Sequence, residues 1–219
     1  MDVRLGDAER RALALLGRRQ VEWDARLAAR VISRDGALGI FTAPPMDVLA
    51  FLAVPAQVEG SLDVTVPMAA LVAAAEASGD IDLSALPAVQ APFTAGVSLA
   101  HLPPWDGWQM PIPAVASDVL PVVDDALAEF RARSVGLGPR GQQTVAEEIW
   151  SRTAWAGLPV RVLHAGYRLR FLTRDRVRIA AATNGPWRRL STPRGQQYES
   201  LHRPPPHVHA ASQIIPIPI

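Results

Sequence analysis

Apolar positions change period several times along the chain, and each change marks an element. Leu13, Leu16, Val21 and Leu27 recur near helical spacing behind Asp7, which predicts a capped helix over roughly 8–33, with Gly17 as a possible break. Asp35-Gly36 reads as a turn. Ala37–Thr42 (ALGIFT) and Asp47–Val54 (DVLAFLAV) read as strands joined across Pro44-Pro45, and the alternating Ser61–Val66 (SLDVTV) as a third. Pro67 then opens an Ala-rich helix that ends at Gly79.

Residues 80–117 are rich in Pro and have no sustained period. His101–Pro113 cannot be helical and is too apolar for a free linker, so it is expected to pack along a surface and bury Trp105 and Trp108. Beyond it, Asp118 caps a helix over 119–134. Thr144-Val145-Ala146-Glu147 has the form of a capping box and opens a helix to about Trp155. Ala156-Gly157-Leu158-Pro159 is a tight turn, and a third helix covers 160–172 with Val160, Leu163, Tyr167 and Phe171 on one side. Arg176–Thr183 alternates, Asn184-Gly185 is a hairpin turn, and Trp187–Thr192 returns.

The fold class is therefore α+β. An N-terminal helix and a small antiparallel sheet precede a mainly helical C-terminal module that carries a β-hairpin. Helix, helix, tight turn, helix and hairpin is the element order of a winged helix-turn-helix, although no sequence signature accompanies it. The expected organisation is an acidic α+β domain over 1–100, a Pro/Trp-rich packed connector over 101–117, a basic module over 118–201 and a Pro-rich apolar tail over 202–219. The alternative is one interwoven domain in which 80–117 crosses between layers.

Charge sharpens this division. Residues 1–130 hold 8 Arg against 17 Asp and Glu, whereas residues 131–219 hold 14 Arg against 4. Such an asymmetry points to a polyanion ligand for the basic part, or to one half docking on the other. In the expected module Arg161, His164 and Arg168 fall on one stripe of the helix. In a hairpin centred on Asn184-Gly185, Ile179 faces Leu190, and Arg178 and Arg189 lie on the other face. Trp187 is near the tip of that hairpin and Arg176 at its base. A cationic helix beside a cationic hairpin suits nucleic-acid phosphates, because Arg binds phosphate oxygens in pairs. The competing reading makes these residues a solvated face, or partners of the acidic half.

All 22 basic residues are Arg, and there is no Cys. No Schiff-base or phosphate-loop lysine, thiol nucleophile, thiolate zinc site or disulfide can therefore form. Gly136–Gly141 matches a dinucleotide-binding motif by letter, but helix precedes it and Pro139 removes an amide donor, so it reads as a helix linker. His207, His209 and His202 are a weak ligand set without carboxylates, and no catalytic residue, metal or cofactor is nominated. The chain reads as a cytoplasmic, non-enzymatic binding protein without a membrane span or a secretory signal. The second reading is a self-associating scaffold. In it the acidic half docks on the basic half, and the apolar tail over 204–219 engages a partner or a second subunit, in a contact that builds a ring or a filament.

Overall fold

Two hairpin turns and the strands they join organise the molecule, which a computed structural model describes over residues 2–77, 79–90 and 97–201. The chain divides into two compact units, Met1–Leu102 and Pro103–Ile219. Mixed α+β architecture with antiparallel sheets holds in both.

The first unit runs β1 (Asp2–Arg4), α1 (Asp7–Val21), β2 (Ala28–Arg34), β3 (Ala37–Thr42), β4 (Leu49–Pro55), β5 (Gln57–Val58), β6 (Asp63–Pro67), α2 (Met68–Glu76) and β7 (Ile81–Asp82). Asp35 and Gly36 both take positive φ, the geometry of a twist-matched two-residue turn, and Arg34 faces Ala37 across it. Strand β6 returns beside β2 rather than β4, so the sheet order is β6-β2-β3-β4. A small second sheet places β1 between β5 and β7.

The helix expected over 8–33 stops at Val21, and Ala28–Arg34 becomes a central strand paired on both sides. Two ladders of backbone hydrogen bonds outweigh the helical spacing of one leucine. Gly17 does not break α1. A Cβ there would lie 2.3 Å from Val72 Cγ2 and 2.5 Å from Met68 Cε, so the glycine allows α1 to lie close on α2. The Arg10 guanidinium donates to the Ala74, Ala75 and Ala77 carbonyls, satisfying acceptors that the end of α2 leaves open.

The second unit runs β8 (Gln109–Val115), α3 (Ala116–Ser134), α4 (Pro139–Ser151), a 3-10 turn at Trp155–Gly157, α5 (Val160–Arg168), β9 (Arg178–Asn184), β10 (Trp187–Thr192) and β11 (Gly195–Ser200). Within this unit the strands order as β11-β10-β9-β8, all antiparallel. The hairpin is thus the middle of a sheet and not a free wing, which departs from the winged-helix order. Strand β8 arises from the stretch expected to be a connector. Its Pro111 and Pro113 are compatible with an outermost position in the order within this unit, since proline lacks the amide that an inner strand must donate.

Helix α4 starts at Pro139, behind Gly138, five residues before the expected capping box. Thr144 sits inside the helix, and its hydroxyl donates to the Arg140 carbonyl instead of capping. Strand β11 carries no alternation that marks it in advance. Its Gly195 takes a φ of 150°, and a Cβ there would meet the Phe171 ring at 2.5–2.8 Å.

Replacing Gly17 by Ala raises intrinsic helix propensity by about 1 kcal/mol. The expected outcome is nevertheless a net loss of stability of about 1–2 kcal/mol, because the new methyl overlaps Val72. Urea unfolding of the full chain checks the sign, and an unchanged or raised midpoint contradicts the packing argument.

Candidate nucleic-acid interface

Helix α5 carries the first three of the basic residues singled out from the sequence. Its segment Val160–Gly166 is buried throughout. Polar side chains on α5 therefore point into protein on most of its circumference. Arg161 is only 8% exposed and His164 only 4%. The Arg161 Nε lies 3.9 Å from Glu199 Oε1, and Arg188 Nη1 lies 4.0 Å from Glu199 Oε2, which sets one carboxylate between two guanidiniums. Arg188 also donates to the Gly157 carbonyl. A buried guanidinium needs such compensation, since an uncompensated charge in the interior is costly.

His164 stacks on Trp150 with ring centroids 4.4 Å apart and planes 17° from parallel, and Trp150 in turn meets Phe130. Burial pushes the His164 imidazole down to about 4, and the Arg168 charge adds to the effect. The ring is neutral at neutral pH, and its burial withholds it from a phosphate. Arg168, at the end of α5, is half-buried, and burial lowers its pKa. An open stripe of Arg161, His164 and Arg168 does not form. The physical reason is that this side of α5 packs on β11 and α4.

The hairpin residues separate by face. The observed register pairs Asn184 with Trp187, Ala182 with Arg189 and Ala181 with Leu190, so Gly185 and Pro186 form the turn. Expected partners are displaced by two residues, because Pro186 fixes a negative φ and leaves the positive one to Gly185. A displacement of two preserves the faces. Arg178, Trp187 and Arg189 do share one side of the sheet, and Arg188, Gln197 and Glu199 share the other. Arg189 lies over the Trp108 ring at 4.3 Å, and Trp108 in turn lies beside Tyr198. Burial lowers the Arg189 pKa and pushes the Tyr198 phenol up to about 12. Trp187 is half-buried, whereas Arg176 and Arg178 are exposed.

Most other arginines of this unit are held by its own acids. Arg133 and Arg152 form a closed network with Glu129 and Glu148. Both carboxyls are held near 2 by these guanidiniums, Arg152 first for Glu129 and Arg133 first for Glu148. Arg174 pairs with Asp124 at 3.0 Å, and Arg194 with Asp175 at 3.4 Å. Arg131, Arg140, Arg170, Arg176 and Arg178 are exposed, with no ion pair among the described residues. Arg170 lies in the same α5–β9 connection as Arg176, a proximity that helical and strand periodicity does not reveal. The residues 202–219, including His202, His207 and His209, lie outside the described part of the chain.

Residues 1–95 match a family model described as "Domain of unknown function (DUF8010)", and residues 103–203 match one described as "Domain of unknown function (DUF8185)". No curated protein matches the chain. Among solved structures, it is similar to the DNA polymerase sliding clamp from Pseudomonas aeruginosa at 12% identity and a TM-score of 0.54, covering 91% of this chain and 64% of the clamp. The Caulobacter crescentus pol III beta gives 10% identity and a TM-score of 0.57, covering 91% and 65%. The DNA polymerase III beta subunit from Thermotoga maritima gives 10% and 0.52, covering 91% and 64%. The chain thus spans less than two thirds of the length of these proteins, and the likeness is one of fold.

His164 supplies a pH test. Its pKa is depressed in the folded state, so the unfolded chain binds the proton more readily between about 6.5 and 4. Stability is expected to be lost as pH falls through that window, by up to about 3 kcal/mol in total. Urea midpoints between pH 4 and 7 should fall less steeply for His164→Phe than for the parent, and parallel slopes contradict the assignment.

Proposed function

We propose that this chain is a non-enzymatic, DNA-associated scaffold that self-associates. The likeness of its fold, over 91% of its length, to proteins named as sliding clamps carries this reading. A likeness of fold alone supplies no site, and exposed charge is what this chain offers a phosphate backbone. The exposed Arg170, Arg176 and Arg178 are the phosphate contacts we favour, with the half-buried Arg168 beside them. They cluster in and after the connection from α5 to β9, and the three exposed ones form no ion pair among the described residues. Trp187 and Arg189, although on the same sheet face as Arg178, are secondary because packing already occupies them. Arg161 and His164 serve the core.

Phosphate contact without base reading predicts weak sequence preference and strong salt dependence. Anisotropy titrations of the full chain with a labelled duplex should give a linear fall of log K with log salt. Replacing Arg176 and Arg178 together by Ala should reduce that slope by about 2, at roughly 0.9 for each phosphate no longer neutralised. Arg161→Ala should instead lower the melting temperature, with the slope of the still-folded protein unchanged. No measurable duplex binding at low ionic strength would end the DNA arm and leave only the scaffold.

A further inference from the structure

Helices α1 and α3 carry matching exposed stripes. On α1 the positions i, i+4 and i+7 are Arg11, Leu15 and Arg18, all exposed, with Leu15 at 52%. On α3 the same spacing gives Asp118, Val122 and Asp125, again all exposed, with Val122 at 36%. That spacing puts each triplet on one helix face. One stripe reads cation, aliphatic, cation, and the other reads anion, aliphatic, anion.

A groove of about 650 Å³ runs along the α1 stripe, walled by Arg10, Arg11, Leu15 and Arg18 and by Glu76 and Ala77 at the end of α2. Arg18 is bonded to Glu76, and Asp7 stands at the groove's other end. On α3, Asp118 accepts from the Ser117 hydroxyl at 3.1 Å, and the adjacent Asp124 is taken by Arg174. Arg11 and Asp125 have no ion pair among the described residues.

We propose that the α1 stripe of one copy docks on the α3 stripe of a second copy. This rests on the self-association reading and names its contact. The two helices run antiparallel, so that Arg11 meets Asp125 and Arg18 meets Asp118, while Leu15 and Val122 cover one another. A nucleic-acid backbone fits this face less well, since the exposed Leu15 at its centre offers a phosphate nothing, whereas Val122 covers it. The two surfaces differ and every copy carries both, so the contact is heterologous and extends head to tail into a ring or a filament.

Sedimentation velocity of the full chain in low salt tests the contact. Arg11→Asp and Asp125→Arg, both at exposed positions, are each expected to weaken self-association at least roughly tenfold, as like charges then face each other. Circular dichroism should show both folded. An equimolar mixture of the two variants should regain association, since Arg11 of one then meets Asp125 of the other. The chain bearing both substitutions should regain it as well. If the parent associates and both variants associate equally well, this contact is wrong and self-association stands. A failure of the mixture to recover also overturns it. A parent that stays monomeric in low salt removes both the contact and the self-association reading.

Discussion

The burial of α5 against β11 is the constraint on which the second unit depends. The sheet face bearing Ala181 and Leu190 has to be covered, and its covering encloses α5 along Val160–Gly166 and takes Gln197 and Glu199 of the same face inside with it. Glu199 is then a counter-charge for Arg161 and Arg188, and Trp150 a lid for His164. Glu199 offsets part of the lost hydration of Arg161 and Arg188, whereas His164 Nε2 and the Gln197 amide are buried without a hydrogen-bond partner among the described residues. The same packing removes them from any ligand, so a stripe that would look basic on an isolated helix is used to hold the unit together.

The charge division reads differently once the units are known. A cut at residue 130 gives a basic half of +10, whereas Pro103–Ile219 holds 14 Arg against 9 Asp and Glu. Five acids from the α3 region and the loop before it thus belong to the basic unit, and Asp124 and Glu129 neutralise arginines directly. Local pairing of this kind is worth little per exposed pair in free energy, but it decides which guanidiniums keep an uncommitted field. Of those left, Arg131 and Arg140 lie on helices α3 and α4, whereas Arg170, Arg176 and Arg178 stand in an irregular connection and at a strand end.

At 10–12% identity, this chain shares a fold with proteins with which it shares few side chains. Antiparallel ladders, buried aliphatic faces and glycines that permit close approach define the fold through shape and polarity, not through particular side chains. Surface charges face no such requirement. They are where a chain of this architecture acquires its own partners, and where likeness of fold says least.

By itself the sequence determined the elements whose cause is local. Asp35-Gly36 makes its turn because both residues tolerate positive φ, and the Asn184-Gly185 region turns because Gly185 does. Alternation in Ser61–Val66 and Arg176–Thr183 likewise reports the faces of strands, which is why the face shared by Arg178 and Arg189 was legible even though their partners were not. The tertiary structure alone decided what is non-local. Ala28–Arg34 became a strand because β3 and β6 pair with it, Gln109–Val115 because β9 does, and Gly195–Ser200 because β10 does. It also decided which side of α5 faces solvent. A helical wheel carries angles but no neighbours, and the free energy of a charged side chain is set by what lies opposite it.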